Sequence, residues 1–149
     1  MAANLVRKKS GKPLFEKSAI FTRETTDGKP LKIGVVGIVG DGLPLPSELK
    51  ILPALATAKK EVAAMRKKVD LLVLLTHQGL ERDRLFAQKI SGIDIIVGGH
   101  TQSFLQTPQK VGKTIIYQSS FRNQYVGTLP LAKKFTGEGY QLTGLDAGR

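Results

Sequence analysis

The chain has only two histidines, and both stand where chemistry is possible. His77 lies in "LLTHQG" and His100 in "GGHTQSF", each just past a short apolar run, with Gln102 two residues after the second. Two imidazoles and an amide oxygen are donors suited to a divalent metal. The chain contains no cysteine, so any metal it holds is bound by nitrogen and oxygen, and neither disulfides nor thiolate sites enter the fold. The alternative for each histidine is a hydrogen-bonded loop residue. Glycines at 79, 98 and 99 suit both readings, since they permit tight backbone beside a ligand and are also ordinary turn residues.

The elements around these residues decide whether they can meet. "LKIGVVGIV" (31–39) is a β-branched run between "DGKP" and "GDGLPLP", the pattern of a buried strand between two turns. "PALATAKKEVAAMRKKV" (53–69) repeats Leu55, Val62, Met65 and Val69 at near-helical spacing, with Pro53 acceptable at a first helical position. A strand at "DLLVLL" (70–75), a helix at "LERDRLFAQKI" (80–90) and a strand at "IDIIV" (93–97) follow. Continuous apolar strands alternating with helices imply a parallel sheet covered on both faces. "TIIYQSS", "QYVGTLPLAKKF" and "GYQLTGL" come after without helices and suggest an antiparallel extension, so the expected class is mixed α/β with more than one sheet. His77 and His100 would each follow a strand, and neighbouring parallel strands would bring both to the carboxyl edge of the sheet, where open α/β sheets place ligands. In extended backbone, residues i and i+2 point the same way, which would set Gln102 beside His100.

Composition limits the remaining choices. At 149 residues with 41% hydrophobic residues, the chain is of one-domain size with material for a core. No apolar run approaches the ~20 residues of a membrane span, and the amino terminus lacks the h-region of a signal peptide. The formal charge of +11 attracts phosphates and polyanions without specifying one. It falls in short clusters (Arg7-Lys8-Lys9, Lys59-Lys60, Arg66-Lys67-Lys68, Lys133-Lys134) that read as solvated faces. Aromatic residues amount to 6%, with none of the interleaving that single-stranded nucleic acid requires.

"VDLLVLLTHQGLERDRLFAQKISGIDIIVGGHTQSFLQTP" followed by "TIIYQSSFRNQYVGTLPL" resembles the second half of the calcineurin-like metallophosphoesterase domain of the 5'-nucleotidase family. "ANLVRKKSGKPLF" and "LKIGVVGIV" fit the stretch that follows that family's Gly-Asn-His-Asp/Glu motif, so the likeness covers nearly the whole chain. It implies the mixed-sheet part of a four-layer αββα sandwich, and a parent enzyme that hydrolyses nucleotide phosphate monoesters with two divalent ions (Zn, Mn or similar). It also implies that His77 and His100 are ligands of one ion and that Gln102 contacts the other through oxygen. Much of the superfamily has histidine at that last place, and the amide favours the 5'-nucleotidase branch. Arg122 and Asn123, in "SSFRNQY", are the candidates for contacting substrate. A periplasmic or exported parent is a further implication.

The family's Asp-x-His, Gly-Asp and Gly-Asn-His-Asp/Glu motifs do not occur in the chain, so it supplies none of the carboxylates that two closely spaced ions require. Asp70 and Asp94 precede or open their strands, at the wrong end of the sheet. Asp41, in "VGDGLP", copies the Gly-Asp motif superficially but is expected to be a turn aspartate. The chain thus reads as residues 1–149 of one domain, the C-terminal half of a catalytic domain without the substrate-binding domain that follows in 5'-nucleotidases. Other readings are a non-catalytic metal- or phosphate-binding module, or a basic polyanion binder with incidental histidines. The half-domain reading also expects the chain to pair with its N-terminal complement or with itself.

Overall fold

A computed structural model of the chain describes residues 1–122, 124–135 and 140–143. Chain order is β1 (Leu5–Arg7), β2 (Ser18–Glu24), β3 (Pro30–Val39), β4 (Leu49–Ile51), α1 (Ala54–Arg66), β5 (Leu71–His77), α2 (Leu80–Lys89), β6 (Ile95–Val97), β7 (Gln109–Val111), β8 (Thr114–Tyr117), β9 (Ala132–Phe135) and β10 (Tyr140–Thr143). The main sheet has six strands in the order β2-β3-β5-β6-β8-β7. β3, β5, β6 and β8 are parallel neighbours, while β2 and β7 are antiparallel edges. Two small antiparallel pairs, β1 with β4 and β9 with β10, stand outside it.

The class is mixed α/β, as the run of strands and helices indicates, but three expectations are corrected. "TIIY" is not part of an antiparallel extension: as β8 it continues the parallel core beside β6, with Ile96 opposite Ile116. Both helices pack on one face of the sheet, where Val36, Ile38, Leu72, Leu74, Ile96 and Ile116 form one cluster with Ala58, Val62 and Met65 of α1 and Phe86 of α2. The opposite face is covered unevenly. Leu71, Ile95 and Ile115 are buried there, but Leu75 and Val97, paired neighbours nearer the carboxyl ends, are 43% and 39% exposed. Continuous apolar strands were expected to be covered twice, and near the carboxyl ends the described residues cover them once. The third correction concerns His77, which is the last residue of β5 itself, paired with Val39.

The helix stripe at Val62, Met65 and Val69 is buried as its spacing requires, and Lys59, Lys60, Lys67 and Lys68 are exposed. Arg66 departs from the solvated-face reading. Its guanidinium donates to the Asp94 carboxylate at 2.6 Å and to the carbonyls of Val69 and Asp70 at 2.7 and 2.9 Å. Asp70 precedes β5 and Asp94 precedes β6, so both stand at the amino edge of the parallel strands, away from the histidines.

Candidate metal centre

Alternation along β5 sorts its last two residues to opposite sides. Thr76 turns toward the helices and is buried, whereas His77 turns to the open face and is exposed. The backbone at His77 is held from the residue just past β3, its carbonyl accepting the Gly40 amide at 2.8 Å. His100 arrives from the loop after β6, tied by the Gly98 amide donating to the Tyr117 carbonyl (2.9 Å) and the Gly79 amide donating to the Gly99 carbonyl (3.0 Å). The rings of His77 and His100 meet with centroids 5.2 Å apart, edge to face at 77°. Two imidazoles on one tetrahedral ion at ~2.0–2.1 Å would have their ring centres roughly 5 Å apart, so the spacing fits a shared ion. Among the described residues no hydrogen bond engages either ring.

Gly99 shows why this approach needs a glycine. A Cβ at that position would lie 3.1 Å from His77 Nδ1, crowding the nitrogen. The expected extended backbone at "HTQ" is not found: His100 has φ 81° and Gln102 φ 56°, both left-handed. The i, i+2 argument for Gln102 therefore fails, because in this turn the two side chains are not set by strand alternation. Gln102 is exposed on the same loop. Arg122, exposed and also left-handed at φ 56°, lies over the Phe121 ring at 5.5 Å, and Asn123 is outside the described residues. Asp41 forms an exposed ion pair with Arg82 at 2.5 Å, in keeping with a turn aspartate. Among the described residues no group of three or more His, Cys, Asp or Glu gathers to hold a metal.

Beneath the histidines lies a polar cluster that the sequence reading missed. Asp83 of α2 is fully buried, with its Oδ1 accepting from Thr76 Oγ1 at 2.6 Å and its Oδ2 from Gln118 Nε2 at 3.0 Å. Burial pushes its carboxyl above the ordinary range, opposed by hydrogen bonds from Thr76, Gln118 and Gln78. A signal for it was available, since Leu80, Asp83, Ala87 and Ile90 fall at the spacing of the helix's apolar stripe. An acid on that stripe is buried or out of place.

No family model matches the chain. An apyrase of Tabanus yao is 33% identical over a match of 125 residues, with 67% of this chain and 23% of the apyrase covered. A 5'-nucleotidase of Diplobatis ommata is 42% identical over 84 residues, covering 51% of this chain and 14% of that protein. The chain belongs to the 5'-nucleotidase family of metallophosphoesterases. The solved NAD nucleotidase of Haemophilus influenzae shares the fold over 97% of this chain and 33% of its own, with a TM-score of 0.74 at 23% identity. The chain spans less than a quarter of the length of these two curated relatives, and it corresponds to the C-terminal part of the 5'-nucleotidase-family metallophosphoesterase domain.

Proposed function

We propose that the chain, residues 1–149, forms the C-terminal half of a catalytic domain that hydrolyses nucleotide phosphate monoesters. In this reading His77 and His100 hold one divalent ion and Gln102 contributes its amide oxygen to a second. The observation that carries the proposal is the meeting of the chain's only two imidazoles, 5.2 Å apart, at the carboxyl edge of parallel strands. Support comes from the 5'-nucleotidase and apyrase relatives.

What the bound ions supply is Lewis-acid polarisation of phosphate oxygens and a water of lowered pKa. The residues of this chain orient that chemistry. His77 presents its ring from the rigid end of a central strand, and His100 from a loop pinned on both sides. Arg122, exposed after β8, is a cation available to phosphate oxygens, and none of His77, His100 and Gln102 acts as the general acid. Two neutral imidazoles and an amide leave the charge of the ions uncompensated, so carboxylates from an N-terminal half complete the site. The bare sheet face at Leu75 and Val97 is where that half would pack, since apolar surface of this kind seldom stays open. The family likeness also favours an exported parent; among the described residues no helix is long and apolar enough to cross a membrane.

Complementation tests the proposal. The chain alone should bind Mn²⁺ or Zn²⁺ weakly and hydrolyse no nucleotide monophosphate. Adding a separately expressed N-terminal half with metal should restore phosphomonoesterase activity, and His100→Ala in the mixture should lower it at least about tenfold. Robust hydrolysis by the chain alone would refute the half-site, as would an inactive mixture whose halves demonstrably associate. Binding that is indifferent to metals but falls steeply with salt would favour a polyanion binder instead.

A further inference from the structure

The cluster beneath the histidines reaches both of them by short paths. Asp83 Oδ1 accepts from Thr76 Oγ1 at 2.6 Å and, more weakly, from Gln78 Nε2 at 3.5 Å, and these two residues flank His77. Asp83 Oδ2 accepts from Gln118 Nε2 at 3.0 Å. The other end of Gln118, Oε1, accepts from Thr101 Oγ1 at 3.2 Å, and Thr101 follows His100. Thr101 Oγ1 also accepts from the Leu80 amide at 3.2 Å, which brings the first turn of α2 into the same path. Gly98, where the His100 loop begins, lies so close that a Cβ would sit 2.0 Å from Asp83 Oδ2 and 2.6 Å from Gln118 Nε2. Asp83 and Gln118 are 0% and 2% exposed, and Thr76 is buried with them.

We propose that Asp83 and Gln118 are positioning residues for the His77–His100 pair, a buried carboxylate-to-amide bridge that fixes the strand-end ring and the loop ring relative to one another. The consequence for metal affinity rests on the reading of that pair as a metal site; the geometric claim does not. An ordinary packing role explains the bridge poorly. A buried carboxylate with no cationic partner among the described residues is costly, and an apolar trio of similar volume would hold α2 to the sheet without that cost. What the bridge adds is direction. It has one acceptor on each side, aimed at the neighbours of the two histidines, so a shift of either ring's backbone strains a hydrogen bond, buried at Thr76 and part-buried at Thr101. Groups that orient metal ligands act in this way, and their loss commonly costs ~10–100-fold in metal affinity.

The substitutions Asp83→Leu and Asp83→Asn separate the possibilities. Leucine keeps the branched four-atom shape, with methyls larger than the carboxylate oxygens, and removes both acceptors. Asparagine keeps an acceptor for Gln118, and its amide takes the place of Oδ1 and can donate to Thr76 Oγ1 and, once the Gln78 amide turns over, to Gln78 Oε1, which is buried without a partner. Two measurements on the chain are needed: ring-to-ring NMR cross-peaks between His77 and His100 without metal, and Zn²⁺ affinity by calorimetry. The expected result is that Asp83→Leu folds, loses the cross-peaks and binds Zn²⁺ about 10–100-fold more weakly. Asp83→Asn should keep the cross-peaks and bind within about threefold of the parent chain. If Asp83→Leu does not fold, Gln118→Met cuts the link to Thr101 at the other end and is expected to lose the cross-peaks. A folded Asp83→Leu, or Gln118→Met in its place, that retains the cross-peaks overturns the positioning role. Failure of the unsubstituted chain to bind Zn²⁺ would instead refute the metal reading, while the cross-peaks still decide whether the bridge positions the rings.

Discussion

The two edges of the parallel strands use their polar side chains in opposite ways. At the amino edge both aspartates and Arg66 are committed: Asp94 Oδ2 accepts from both Arg66 and the Leu72 amide, Asp70 Oδ2 accepts from the Lys32 amide, and Arg66 spans Gly92, Val69 and Asp70. At the carboxyl edge two imidazoles lean together, exposed and without hydrogen bonds among the described residues. Loop backbone there adopts left-handed φ at His100, Gln102, Ser120 and Arg122, whereas no non-glycine residue described at the amino edge does so. The difference separates stability from function. A saturated network holds the fold, and an unsaturated, strained one has capacity left for a ligand.

Breaking the saturated edge should therefore have the largest effect on stability and none on metal affinity per folded molecule. Asp94→Ala leaves the Arg66 guanidinium with carbonyl partners only and the Leu72 amide without its acceptor. Both sides of the ion pair are about a quarter to a third exposed, which trims the cost of a buried pair. Urea unfolding should show a loss of about 2–3 kcal/mol. A loss under about 0.5 kcal/mol would put Arg66 among the ordinary solvated cations, as its place in a basic cluster suggested.

The open edge should respond the other way. At φ 81°, His100→Val would force a β-branched residue into a left-handed conformation at about 1–2 kcal/mol, whereas asparagine tolerates that region and His100→Asn should fall within about 0.5 kcal/mol of the parent chain. Metal affinity should drop at least about tenfold in both, since neither supplies an imidazole. Equal stability losses would mean that the loop relaxes and that its strain is not built in. Retained affinity in either variant would remove His100 from the site.

Much of this contrast was legible in the sequence. The strand-helix-strand-helix-strand order follows from apolar runs and helical spacing, and it suffices to bring two residues 23 positions apart to one edge, whatever their roles. The boundaries were less legible, and His77 proved to be inside its strand because pairing with Val39 extends β5 past the apolar run. The turn at His100 to Gln102 was misread as extended, since nothing in "HTQ" announces positive φ at a histidine and a glutamine. One-sided helix packing was missed for another reason. A strand covered by helices on both faces and one awaiting a second sheet present the same apolar residues. Gln118 had no visible signal, because its burial depends on α2 lying over β8, a tertiary fact.

Asp83 supplies the smallest predicted effect and places it directly beneath the open edge. Burial raises its carboxyl above the ordinary range, so the folded protein retains a proton there at pH values where the unfolded chain, near its usual ~3.9, has lost it. The folded state then binds more protons than the unfolded one. This group's contribution to stability consequently declines as pH rises from the unfolded value through the raised folded value, and the penalty is complete above it. Asp83→Asn does not titrate. At neutral pH the variant should match or slightly exceed the parent chain in urea midpoint, and the difference should shift in favour of the parent as the pH is lowered toward 4. A parent chain that instead loses ground to the variant on acidification would show that the hydrogen bonds from Thr76 and Gln118 outweigh burial and hold the carboxylate charged. That outcome would make the layer under the histidines as electrostatically committed as the Arg66 network at the other edge.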